Sequence, residues 1–376
     1  MHKVSENRMA NRLPLMALAG VSLLAALWAA LVRAGWTLPA LPVPIAAQHG
    51  SLMISGFLGT LISLERAVAL AASVKTEKEG RWSYLVPLLS GLGAILLLLG
   101  LPKEIGRVLI TLAGVGLVLI FIRIYQIHPV EHVVPMIVGA LLWLVGSALW
   151  LFGASIAYAV PWWAGFLILT IAGERLELAR VMMAGKVSRT TFLIASVIFV
   201  AGMPISLFAF DFGLRMSGVG LIALGLWALR FDITRRTIRQ KGLTRFIASC
   251  LMPGYFWLIG GGGLWAVYGG GYTSGVIYDA MLHSVFLGFV MSMIFGHAPI
   301  ILPAVLSGIE ITYRPAFYAH LGLLHLSLIL RVTADLTGSP TLRMWGGMFN
   351  VIAVLIFLAN MARSVRRQEP APQAAS

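Results

Sequence analysis

Tyr84-Leu85-Val86-Pro87-Leu88-Leu89-Ser90-Gly91-Leu92-Gly93-Ala94-Ile95-Leu96-Leu97-Leu98-Leu99-Gly100-Leu101 is a run without one charged side chain. About 18 such residues, coiled as a helix, cross the roughly 30 Å hydrocarbon core of a bilayer. Lipid offers the backbone no partners, so the amides must be satisfied within the run, which makes it a helix. Similar runs lie on both sides of it. Spans are expected over Leu13–Arg33, Pro44–Ala72, Tyr84–Leu101, Ile105–Ile127, Val130–Phe152, Pro161–Ala184, Thr190–Phe210, Leu214–Arg230, Ile247–Tyr268, Val276–Pro303, Arg314–Ala334 and Met344–Arg363. This predicts an all-α, polytopic membrane protein of about 12 transmembrane helices. A single transmembrane domain is expected over 13–363, with a cytoplasmic segment at 1–12 and a disordered cytoplasmic tail at 364–376.

Composition agrees. Hydrophobic residues make up 59% of the 376 and charged ones 11%, against roughly 45–50% and about 25% in soluble domains. With the N-terminus inside, the 28 Lys and Arg all fall on the inner side except Arg33, Lys103, Arg107, Arg215, Arg331 and Arg343. That bias is the positive-inside rule, and it predicts that both termini are cytoplasmic. The net charge of +14 therefore calls for anionic lipid headgroups and not for nucleic acid. Cys250 is the lone cysteine, which excludes a disulfide framework and a cysteine metal site. No phosphate-binding loop, His-Glu-x-x-His helix or nucleophile elbow is present.

Three spans share a pattern. The second reads Gly56-Phe57-Leu58-Gly59-Thr60-Leu61-Ile62-Ser63-Leu64-Glu65. The sixth runs from Gly165-Phe166 to Glu174, and the tenth from Gly288-Phe289 to His297. Each places an ionisable group nine residues after the glycine, and Arg follows in two of them (Arg66, Arg175). Spans two, six and ten are four apart, which suggests three pseudo-repeats of four helices. Chance recurrence of Gly-Phe is the competing reading. If the repeat holds, Glu65, Glu174 and His297 lie at similar depth, carrying protons or stabilising helix ends.

Ionisable groups within spans cost roughly 3 kcal/mol or more and tend to be kept for function. His49 and His283 open spans two and ten near one face. His297 lies about 21 Å below His283, and His320 and His325 are on span eleven. Neutral imidazole suits haem iron and copper. His49 and His283 are the candidate outer pair, and His297, His320 and His325 a second group. His320 and His325 diverge by about 140° around their helix, so one helix cannot aim both at a single metal. Hydrogen-bonded packing is the competing role for each. His128 and His132 have the i, i+4 spacing of a metal pair, but Pro129 interrupts it, and they are read as helix-start residues. Arg331 either pairs with Asp335 four residues on or meets haem propionates. The run Gly260–Gly263 either packs closely, against a helix or a flat macrocycle, or ends its helix early.

The stretch Trp36-Thr37-Leu38-Pro39 followed by His49-Gly50-Ser51-Leu52-Met53-Ile54-Ser55-Gly56-Phe57 resembles the second-helix histidine motif of the NnrS family. His283-Ser284-Val285-Phe286-Leu287-Gly288, Met293-Ile294-Phe295-Gly296-His297 and Leu330-Arg331-Val332 resemble that family's C-terminal half. More distantly, the twelve spans and the histidines on helices two and ten are similar to the catalytic subunit of haem–copper oxidases. Ser51 stands where NnrS sequences carry a second histidine, and the oxidase histidines of spans six and seven are missing.

The resemblance implies a protein of a bacterial inner membrane that binds haem b, with a modified or absent copper site, and acts in nitric oxide metabolism or tolerance. His49, His283 and His325 would serve as haem-binding residues with Arg331 on a propionate; His297, His320 and His325 would hold a second metal or haem, copper included. Membrane lipid and a small gas such as nitric oxide are the expected partners. A proton-coupled secondary transporter using Glu65, Glu174 and His297 is the competing function, and an assembly scaffold without chemistry the third.

Overall fold

A computed structural model of the chain describes residues 2–39, 44–180 and 185–367. Twelve helices in it are long and apolar enough to cross a membrane: Arg12–Ala34, Ile45–Ser73, Lys78–Leu98, Lys103–Ile127, Val133–Leu151, Ile156–Leu178, Lys186–Ile205, Phe210–Phe231, Gly242–Gly271, Gly275–Leu306, Phe317–Thr337 and Pro340–Ser364. The protein is an all-α, multi-pass membrane protein, as the apolar runs require. The first helix reaches back to His2.

Successive spans pack side by side, and the twelfth returns to the first, so the chain closes on itself. The second, sixth and tenth spans are the most buried of the twelve, and the tenth packs against both others. These are the spans that carry the shared Gly-Phe pattern. The tail departs from expectation: Val365–Arg367 pairs antiparallel with Ile309–Ile311, Ile309 opposite Arg367, so the ordered chain extends beyond 364. Residues 368–376 lie outside the described part.

Two central spans depart from α geometry at matching places. Leu52–Gly59 and Ser284–Met291 are π-helical, and Gly56 and Gly288 each stand fifth of the eight residues. Wide turns of this kind are rare and gather at functional sites. The sixth span is continuous α-helix from Ile156 to Arg180.

The glycine run does not end its helix, which continues from Gly242 to Tyr268. Gly261 lies against Ser284 and Val285 of the tenth span, and Gly262 against Gly218 and Leu221 of the eighth. Gly260 and Gly263 face open space. A Cβ on Gly262 would stand 2.8 Å from the Gly218 carbonyl oxygen, so Gly262→Ala should cost about 1–3 kcal/mol through overpacking. Gly263→Ala meets nothing within 4 Å and should be neutral or stabilising by up to about 1 kcal/mol. Thermal melting of the two variants in one detergent checks the contrast.

Candidate functional site

His49 follows a short 3-10 turn, Ile45–Gln48, at the head of the second span. His283 ends the first helical segment of the tenth span, directly before its π-helical stretch. His49 Nδ1 lies 2.9 Å from the Ala26 carbonyl oxygen, and His283 Nδ1 lies 2.9 Å from that of Asp279. A carbonyl oxygen only accepts, so each Nδ1 carries the proton and each Nε2 keeps a lone pair. Fixing one ring nitrogen in this way is how proteins orient a metal-ligating imidazole. The two ring centres are 6.2 Å apart and their planes differ by 23°.

This spacing can be tested against a shared metal. A metal takes an imidazole nitrogen at about 2.0–2.1 Å, with the ring centre about 1 Å behind it, so two rings on opposite sides of one metal stand about 6 Å apart. The separation of the two ring centres is of that size, and each ring offers an unprotonated Nε2. Both rings line one cavity with Gly50, Gly347, Arg33 and Arg331, and its remaining wall is mostly apolar.

Asp279 and Arg331 buttress this end. Arg331 Nε and Nη2 donate to the two Asp279 oxygens at 2.8 and 2.9 Å, a bidentate pair. The expected local pair of Arg331 with Asp335 is not formed: Asp335 faces Arg343, at 3.0 Å. Residues four apart share a helix face, but a neighbouring span offers Arg331 a carboxylate with fork geometry, which is the stronger arrangement. Asp279 also places its carboxylate 3.3 Å from His283 Nδ1. The sequence reading missed Asp279; its position four residues before His283 was the available signal.

At the opposite end of the central spans, Glu65, Glu174 and His297 line one cavity, as the repeat predicts. Arg66 joins the two carboxylates, 2.9 Å from Glu65 and 2.5 Å from Glu174. Arg175 donates to His297 Nε2 at 2.9 Å, while His297 Nδ1 lies 2.6 Å from the Met293 carbonyl. Arginine cannot accept, so His297 is neutral with its proton on Nδ1. The arginines that follow the glutamates in the shared pattern are thus part of the cluster.

His297, His320 and His325 are not brought to one point. Trp257 Nε1 donates to His325 Nδ1 at 3.1 Å, and His325 Nε2 faces Ser292 Oγ at 3.3 Å. Both its nitrogens are engaged. His320 is buried among Phe246, Phe295, Phe317 and Phe357, with Asn360 3.0 Å from its Nδ1. His132 stands 3.5 Å from Glu177, next to the start of the fifth span. Among the described residues no three His, Cys, Asp or Glu side chains form a group able to hold a metal ion.

No curated protein matches the sequence. A family model described as "Domain of unknown function (DUF8744)" matches residues 12–366, almost the whole chain. The chain belongs to that family.

Proposed function

We propose that this is a haem b-binding protein of a bacterial inner membrane, of NnrS type, acting in nitric oxide metabolism or tolerance. One observation carries it: two neutral imidazoles from separate spans stand 6.2 Å apart with planes within 23°. His49 and His283 are the axial ligands in this reading. Arg33 lines the same cavity and supplies positive charge for a propionate, while the charge of Arg331, which also lines it, is met by Asp279. Haem, when bound between the two imidazoles, would supply a one-electron couple, and a small gas would reach the iron only by displacing one of them. The backbone carbonyls of Ala26 and Asp279 hold the rings in the ligating tautomer. Among the described residues no third His, Cys, Asp or Glu groups with the pair as a metal donor, so the proposal is confined to haem. The basic residues at the end bearing Glu65 face the cytoplasm, together with both termini.

The test is an absorption spectrum of the purified protein, oxidised and reduced, with iron analysis. A Soret band that sharpens on reduction, with iron bound, is the expected result. Protein that carries no iron and takes up no added haem would end the assignment.

A proton-coupled carrier is favoured by one feature, the cavity that ends on Glu65, Glu174 and His297. Proton-driven flux in vesicles of haem-free protein, lost in Glu174→Gln, would support that function over haem chemistry.

A further inference from the structure

No acidic residue occurs between Asp232 and Asp279, yet the start of that segment carries Arg235, Arg236, Arg239, Lys241 and Arg245. All five side chains are exposed. Other arginines at this end of the bundle meet partners within the protein. Arg66 meets Glu65 and Glu174, Arg189 meets Glu131, and Arg12 donates to the Val305 carbonyl. Among the described residues no carboxylate forms an ion pair with any of the five. Their charge is open to an outside partner of opposite sign.

A groove of about 680 Å³ adjoins them, between the ninth and eleventh spans. Ile238, set among the five cations, lines its lower end. Ser249, Phe256 and Gly260 of the ninth span and His325 and Ile329 of the eleventh line the rest. From Ser249 to Gly260 the helix rises about 16 Å, so the groove climbs from the basic loop toward mid-membrane. Phe256 is 61% and Ile329 53% exposed, so it opens sideways, where lipid chains surround a bundle of spans. Its polar groups are already engaged. Trp257 Nε1 donates to His325 Nδ1, His325 Nε2 faces Ser292, and Ser249 Oγ donates to the Arg245 carbonyl at 2.9 Å. None of the lining residues has a buried polar atom without a partner. An apolar occupant therefore suits the groove. Arg245 lies one turn before Ser249 on the same helix face, which puts a guanidinium at its mouth. Tyr318 Oη, 3.4 Å from Ser249 Oγ, stands at that level too, as tyrosines do where membrane meets water.

We infer that this groove holds an acyl chain of an anionic phospholipid whose phosphate is bound by Arg239 and Arg245. Hydrocarbon meets an apolar wall, and phosphate oxygens meet guanidinium forks, which match them in shape and charge. Basic pockets between spans are how membrane proteins select anionic headgroups. A quinone ring fits less well, since Trp257 and His325 are committed to each other and leave its carbonyls without a donor. A second copy of the chain, seated here by two-fold symmetry, would set the cations against themselves. The inference goes beyond the haem reading and does not depend on it.

Phosphatidylglycerol and phosphatidylcholine with identical chains are the probes, titrated onto the full-length protein in detergent and read by native mass spectrometry. Tighter binding of phosphatidylglycerol is the expected result. Arg239→Gln combined with Arg245→Gln should lower that preference about 25-fold, at roughly fivefold for each cation near an anionic surface. Gly260→Phe, at a position where a Cβ meets nothing within 4 Å, should weaken both lipids by filling the groove. Should a variant fail to fold, a crystal structure of the wild type grown with chain-brominated phosphatidylglycerol decides alone, with bromine scattering expected between Phe256 and Ile329. Equal binding of the two lipids, an unchanged preference in the double variant, or a groove filled by a quinone, by a second copy of the chain or by no lipid each overturns the inference.

Discussion

His49→Ala and His283→Ala should each reduce bound haem per protein at least tenfold, since losing outer partners of a ligand alone costs about 10–100-fold in metal affinity. The two rings come from different spans, and each is held by a backbone carbonyl, Ala26 for one and Asp279 for the other. Neither ring can substitute for its partner, because each Nδ1 is committed to its carbonyl. The glycine variants at the same positions leave a ring-sized space, so added imidazole should restore the low-spin spectrum. Unchanged haem content in both alanine variants would remove the ligand assignment. His325→Ala is the control: both of its nitrogens face protein partners, and its haem content should match the wild type.

Arg331→Ala should destabilise the protein by about 3–5 kcal/mol, the usual cost of stripping one partner from a buried ion pair. Asp279 and Arg331 side chains are 8% and 10% exposed, so solvent replaces little of what is lost. Arg343 stands 3.8 Å from Asp279 but also serves Asp335, and cannot compensate both carboxylates. Arg331→Lys keeps the charge and loses the fork, so it should fall between wild type and alanine. Arg331→Met combined with Asp279→Leu should recover much of the loss, because an apolar pair leaves no orphaned charge. Thermal melting in detergent ranks the four proteins; an Arg331→Ala protein as stable as wild type would show that the pair contributes little.

The spans were legible because lipid imposes a rule on every segment independently: an apolar run of sufficient length has only one way to satisfy its backbone. The pairing of His49 with His283 was legible for a related reason. Few ionisable groups occur within the spans, and two of these open helices that share a sequence pattern. The meeting of Glu65, Glu174 and His297 followed from the same pattern. What could not be read depended on neighbours far away in sequence. Arg331 looked paired with Asp335 because spacing along one helix is visible in a sequence, whereas Asp279, 52 residues away, is not. His320 and His325 offered the same chemistry as His49 on paper. Asn360, which meets His320 Nδ1, and Trp257, which meets His325 Nδ1, are known only from packing. The π-helical stretches left no trace in the residues that form them.

Those stretches set the angular phase between the two ends of a span. An extra residue within a helix turns everything beyond it by about 100°. Between His49 and Glu65 lies Leu52–Gly59, and between His283 and His297 lies Ser284–Met291. Relaxation of either to ordinary coiling would swivel one end of its helix relative to the other, aiming an imidazole or an acid–base group away from the bundle axis. A single-residue deletion within Leu52–Gly59 would impose that swivel permanently.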